Sequence, residues 1–114
     1  MEPTDPTHLS ELHELDAAIS ESRERPVLVF KHSRSCGVSC EALDELRAHM
    51  RRGASAAYKI ITVQTHRPLS DAVARRLGIR HETPQAILLR DGKAVWNASH
   101  FQIRVDELDR ILSA

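Results

Sequence analysis

The stretch VLVFKHSRSCGVSCEALDELRAHM, residues 27–50, decides how the chain is read. It opens on an apolar, β-rich run, Val27 to Lys31, with the character of a central strand buried on both faces. A short polar loop, HSRS, follows. Ser39, Leu43, Leu46 and Met50 then recur on one helical face, which predicts a helix over about residues 36–51 with Gly53 as its stop. Both cysteines of the chain, Cys36 and Cys40, sit at the start of that helix.

Upstream of this unit, Pro3 and Pro6 mark residues 1–7 as a flexible lead-in, which leaves 8–114 as a single domain. Leu9, Leu12, Leu15 and Ile19 predict an amphipathic helix over about residues 8–23, bounded by Pro26. Downstream, YKIITV (58–63) reads as a strand. Pro68 sits where a first-turn proline belongs, and Leu69, Val73 and Leu77 form a stripe that ends at Gly78. In AILLRDGKAVWNA (86–98), two β-rich runs flank Asp-Gly, the signature of a type I′ hairpin. Val105, Leu108, Ile111 and Leu112 carry a last helix, about 105–112. The order is α-β-α-β-α-β-β-α. It predicts an α/β fold, a four-stranded mixed sheet with helices on both faces. That arrangement resembles a thioredoxin-like fold whose usual first strand is missing or very short.

The bulk composition narrows the function. A chain of 114 residues suggests one core. Sixteen basic and sixteen acidic residues cancel, which argues against a general nucleic-acid or anionic-membrane binder. The N-terminus shows no basic segment followed by an apolar run, and no stretch approaches the roughly 20 apolar residues needed to cross a bilayer. The expected location is cytoplasmic. Thiols stay reduced there, so two closely spaced cysteines point to catalysis or metal binding before a structural disulfide.

In open α/β sheets the working site lies beyond the C-terminal ends of the parallel strands. Cys36 falls there, at or near a helix N-terminus, where unpaired N–H groups and the helix dipole favour a thiolate. Lys31, His32 and Arg34 stand close by in sequence. Cys40 has three readings: it resolves a mixed disulfide, packs as a small apolar residue, or joins Cys36 on a metal. At i,i+4 in a helix the Cβ atoms are roughly 5–6 Å apart, against about 3.8 Å in a disulfide, so a Cys36–Cys40 bridge requires the first turn to shift. The C-x-x-C spacing would place the second thiol at Ser39. Thr83-Pro84 precedes the hairpin strand, and an X-Pro bond is the kind that adopts cis. The fold resemblance implies a cis proline beside the catalytic cysteine, with Thr83 offering its backbone to a bound partner. Ser99-His100 lies past the last hairpin strand, at the opposite edge of the pattern from Cys36, and reads as structural; Trp96 reads as core.

KHSRSCGVS together with HETPQAILLRDGKAVWNASHF resembles the monothiol bacilliredoxin family of the bacillithiol redox system. The matching blocks are Lys31-His32-Ser33, Cys36, Glu82, Pro84-Gln85-Ala86, Asp91-Gly92-Lys93, Val95-Trp96 and Ala98-Ser99-His100. The resemblance implies Cys36 as catalytic thiol, with no bound cofactor and bacillithiol as co-substrate. It also implies S-bacillithiolated cytosolic proteins as partners, with neither nucleic acid nor membrane among them. The family's loop reads T-C-P-I-S; here Gly37 and Val38 replace the proline and isoleucine, Ser39 matches, and Cys40 is extra. Bacillithiol carries a malate part with two carboxylates, which a basic lining of Arg34, Lys31 or Arg80 would suit. Thr83, Pro84 and His32 complete the expected substrate-binding set. The competing readings are a thioredoxin-like Cys/Cys/His module for copper or zinc, and a redox sensor in which Cys40 captures oxidised Cys36.

Overall fold

The computed structural model describes residues 5–53 and 55–113. Its elements run β1 (Thr7–His8), α1 (Leu12–Glu21), β2 (Val27–His32), α2 (Gly37–Met50), β3 (Ala57–Thr62), α3 (Arg67–Leu77), β4 (Gln85–Arg90), β5 (Lys93–Ser99), a 3-10 turn (His100–Gln102) and α4 (Val105–Leu112). The sheet order is β1-β3-β2-β4-β5. β2 is central: it runs parallel to β3 from Val27↔Ala57 to His32↔Thr62 and antiparallel to β4 from Val27↔Leu89 to Lys31↔Gln85.

All six residues of β2 are buried, as a strand covered on both faces must be. Its alternation feeds two cores. Leu28 and Phe30 pack with Leu43, Leu46 and Met50 of α2 and Leu108 of α4. Val27 and Val29 pack with Leu15 and Ala18 of α1 and Leu69, Ala72 and Val73 of α3. Each fully buried Leu or Phe contributes on the order of 2 kcal/mol of transfer free energy.

The sheet has five strands, not the expected four. Thr7 and His8 pair in parallel with Lys59 and Ile60, and Leu9 N–H donates to the Ile60 carbonyl at 2.9 Å. Two residues carry no periodicity, so no sequence signal marks them. The expected lead-in over 1–7 is corrected accordingly. Pro6 is buried, Thr7 belongs to the sheet, and Asp5 pairs with Arg47 at 2.7 Å; residues 1–4 lie outside the described residues. Helix α1 starts at Leu12 rather than near residue 8, because Glu14 Oε1 accepts the N–H groups of Ser10 and Glu11 and closes a capping box there.

The hairpin follows the Asp-Gly reading. Asp91 and Gly92 have φ of 54° and 78°, the two positive values a type I′ turn requires. Ser22 accepts both turn N–H groups, through its carbonyl and its Oγ, at 2.8 Å each. A Cβ on Gly92 would stand 3.0 Å from the Arg23 guanidinium. Within α2, His49 is fully buried; its Nδ1 donates to Asp109 at 2.6 Å and its Nε2 accepts from the Tyr58 hydroxyl at 2.8 Å. This bond pair joins α2, β3 and α4. Burial, then the Asp109 charge, pushes the Tyr58 phenol up to about 12. No helix among the described residues is long and apolar enough to cross a membrane.

Candidate active site

β2 ends at His32 and α2 begins at Gly37, so the chain turns through four residues and delivers Cys36 as the N-cap of α2. Its backbone is extended (φ −107°, ψ 120°), while its carbonyl already accepts the first helical bond from Cys40 N–H at 3.0 Å. Cys36 is half-buried and Cys40, one turn in, is exposed; both are free thiols. The Cys36 side chain takes no capping bond, and the first-turn N–H groups of α2 have no intrahelical partners. A negative sulfur at Cys36 gains from those groups and from the helix dipole.

Two side chains fix the loop ahead of Cys36. Ser39 is fully buried; its Oγ accepts the Ser33 N–H at 2.9 Å and lies 2.8 Å from His32 Nδ1. Gln64, just after β3, accepts the Arg34 N–H at 3.2 Å and donates to the hydroxyls of Ser33 and Ser35 at 2.8 and 3.1 Å. Gln64 has no place in the sequence reading. Its signal was its position, directly beyond the C-terminal end of the second parallel strand, where α/β sites collect.

The residues expected around Cys36 divide between two faces of the sheet. His32 is buried on the α2 side and stacks on Phe30 with ring centroids 5.9 Å apart. Burial, followed by the charges of Arg47, Arg34 and His8, holds its imidazole below the usual range. Lys31 points the other way, as strand alternation requires. It is fully buried, with Nζ 3.1 Å from His81 Nδ1, and burial lowers its ammonium from 10.5 to about 8. Lys31 therefore does not line a surface where a ligand could meet it, which corrects the expectation of a basic contact there. His81 also approaches Ser70 Oγ (3.3 Å) and Thr83 Oγ1 (3.4 Å), and burial, then the Lys31 charge, lowers its imidazole. Gln85, paired with Lys31 across the strands, has its Oε1 buried without a partner among the described residues. Arg34 and Arg80 are exposed.

The Thr83–Pro84 peptide is cis. Pro84 is buried, immediately ahead of the Lys31↔Gln85 pair that holds β4 against the end of β2. The Pro84 carbonyl accepts His100 N–H at 3.0 Å. His100, expected at the far edge from Cys36, is thus brought to the proline loop, because β4 and β5 pair with Gln85 opposite Ser99. Its residue and Phe101 face Val38 and Glu41 of α2 across a cavity of about 80 Å³, and Phe101 is 66% exposed. The cis-proline loop therefore meets the end of β5, and the 3-10 turn that follows β5 faces the first turns of α2.

The sequence pattern of the monothiol bacilliredoxin BrxC matches residues 7–108. The chain belongs to the monothiol bacilliredoxin family. Among solved structures it is similar to a protein described provisionally as an oxidoreductase with a thioredoxin fold, at 32% identity and a TM-score of 0.83, over 92% of this chain and 91% of that one. A mutant thioredoxin from Halobacterium salinarum is 22% identical, with a TM-score of 0.77 over 99% of this chain and 92% of that one. Fasciola hepatica thioredoxin is 16% identical, with a TM-score of 0.76 over 94% and 96%. These last two show the thioredoxin fold alone. Family and fold together make this a thiol-redox protein of oxidoreductase type. Among the described residues, no group of three or more His, Cys, Asp or Glu side chains converges as a metal site would require.

Proposed function

We propose that the protein removes bacillithiol from S-bacillithiolated cytosolic proteins by thiol–disulfide exchange at Cys36. The observation that carries this reading is Ser39. The position three residues after Cys36, where a dithiol enzyme places its second sulfur, holds a buried hydroxyl committed to Ser33 and His32. Cys40 lies one residue further, at a spacing that opposes a relaxed disulfide with Cys36.

In the first step the Cys36 thiolate attacks the bacillithiol sulfur of the mixed disulfide. The client–bacillithiol S–S bond breaks, the client thiolate leaves with the bonding electrons and takes a proton, and Cys36 carries the bacillithiol. The thiolate of a second bacillithiol then attacks the bacillithiol sulfur of that adduct. Bacillithiol disulfide is released and Cys36 returns to thiolate. Electrons balance with bacillithiol as the sole reductant. Thr83 and Pro84 border the client side of this site, and Arg34 and His32 the other.

Intact-mass analysis after incubation with bacillithiol disulfide tests the reading. One adduct, mapped to Cys36, is expected. An adduct on Cys40, or loss of two hydrogens as an internal disulfide, contradicts it.

A further inference from the structure

Lys31 breaks the pattern of its own strand. Val27 to Phe30 before it are apolar, and an apolar side chain in its place would avoid burying an ammonium. It follows Val27 and Val29 onto the α1 and α3 side of the sheet and is fully buried there. It makes no ion pair among the described residues, where its one hydrogen-bond partner is His81 Nδ1 at 3.1 Å. Burying a charge without a counter-ion works against folding.

His81 lies half-buried in the loop between α3 and β4, and its ring spans two sets of neighbours. Nδ1 faces Lys31 and, at 3.3 Å, Ser70 Oγ of α3. Nε2 faces Thr83 Oγ1 at 3.4 Å, on the residue before Pro84. Lys31, held at about 8, is mostly an ammonium at neutral pH, and an ammonium only donates. It therefore fixes His81 Nδ1 as the acceptor and leaves the ring hydrogen on Nε2, which donates to Thr83 Oγ1. One run of donors thus passes from β2 through His81 to Thr83. Gln85, opposite Lys31 in the sheet, ties the same loop from its other end, with Nε2 donating to the Arg80 carbonyl at 2.9 Å.

A second proton on the ring breaks this run. Nδ1–H would then point at the Lys31 ammonium, donor against donor and cation against cation. Other charges face the ring from α3 and from its own loop. Arg67 opposes an imidazolium, while Asp71 and Glu82 favour it. Arg67 and Asp71 pair with each other at 3.1 Å, so their effects largely offset. Burial and the Lys31 charge outweigh them and hold the ring neutral. Because His81 is only half-buried, a charged ring has water to turn to, and turning outward releases Thr83 Oγ1.

We propose that His81, oriented by Lys31, is the positioning residue of the Thr83–Pro84 loop, and that its protonation frees Thr83 and weakens client binding as pH falls. The inference rests on the thiol-exchange reading, in which Thr83 offers its backbone to the client. It adds what holds Thr83 in place and what lets it go. It introduces no covalent step.

Two measurements on the full chain test it. Nitrogen-15 NMR of the resting protein should show the Nε2–H tautomer of His81 at about pH 7. Lys31→Met should move the midpoint of the His81 titration up by about one pH unit, because a contacting cation is removed. The second measurement is the KM for an S-bacillithiolated reporter, with the rate of Cys36 toward bacillithiol disulfide as the control for the thiol's own titration. That KM should rise about threefold or more as pH falls through the His81 midpoint, as loss of one hydrogen bond implies. His81→Gln, which keeps a neutral donor for Thr83, should hold a low KM at every pH, and His81→Phe a high one. In both, kcat should stay within about twofold. A ring hydrogen on Nδ1, a midpoint that Lys31→Met leaves unmoved, or a pH-dependent KM that survives in His81→Gln overturns the proposal. The NMR arm needs no turnover, so it judges the Lys31–His81 pair even in a chain that takes no adduct at Cys36, the result that sinks the exchange reading instead.

Discussion

Replacing Ser39 by alanine removes one oxygen, and the structure says what that oxygen does. It accepts the Ser33 N–H and bonds His32 Nδ1, at 2.9 and 2.8 Å, in a fully buried position. His32 is itself 6% exposed, so its ring nitrogen has little water to turn to. Leaving a buried polar group unpaired costs about 1–3 kcal/mol. The Ser33 N–H is only partly buried and loses about 1 kcal/mol. Ser39→Ala should therefore destabilise the fold by about 2–4 kcal/mol. For a domain of this size each kcal/mol shifts Tm by about 4 °C, so Tm should fall by about 8–16 °C. The same substitution unpins the loop that sets the Cys36 backbone, so alkylation of Cys36 should slow relative to Cys40. Thermal unfolding with mass-resolved alkylation reads both effects. A loss under about 0.5 kcal/mol with unchanged relative alkylation would refute the assignment of Ser39 as the loop's anchor.

Three further outcomes follow from the same contacts. Unfolded Lys31 holds its proton to 10.5, but in the fold it releases it at about 8, so the unfolded chain binds more protons between those values and stability rises with pH there. Lys31→Met should abolish a rise of about 2 kcal/mol between pH 8 and 9.5, measured by denaturant unfolding; an identical pH slope in both proteins contradicts the burial argument. Gln64→Ala deletes the bonds that hold residues 33–35 and should speed hydrogen exchange at the Arg34 amide, at a stability cost of about 1 kcal/mol; unchanged exchange would show that the loop holds itself. Tyr58→Phe leaves buried His49 Nε2 without its donor and should cost about 1–2 kcal/mol, a loss that equilibrium unfolding would reveal or deny.

Much of this architecture was legible in the chain because its signals were periodic or stereochemical. The buried run Val27–His32, the α2 stripe and the Asp91-Gly92 turn each state a local geometry that the tertiary fold keeps. β1 was invisible because two residues show no alternation. Lys31 was misplaced because nearness in sequence stood in for nearness in space. Along a strand, neighbours Lys31 and His32 face opposite layers, and only His32 shares the α2 side with the loop. His100 has a neighbour that its place in the sequence does not announce. It is 64 residues after Cys36 in the sequence, yet strand pairing carries it to the cis proline. Gln64 and Ser39 act through hydrogen bonds, which leave no trace in hydrophobic pattern.

The central claim is that one thiol, Cys36, performs the transfer. Its most direct test is the rate at which bacillithiol leaves an S-bacillithiolated reporter protein, compared between Cys36→Ser and Cys40→Ser under single-turnover conditions. Cys36→Ser should abolish the transfer. Cys40→Ser should leave its rate within about twofold of the unaltered protein and, without free bacillithiol, accumulate the adduct on Cys36. A Cys40→Ser variant as inactive as Cys36→Ser would show that the two sulfurs work as a dithiol or a metal pair, and would contradict the monothiol account.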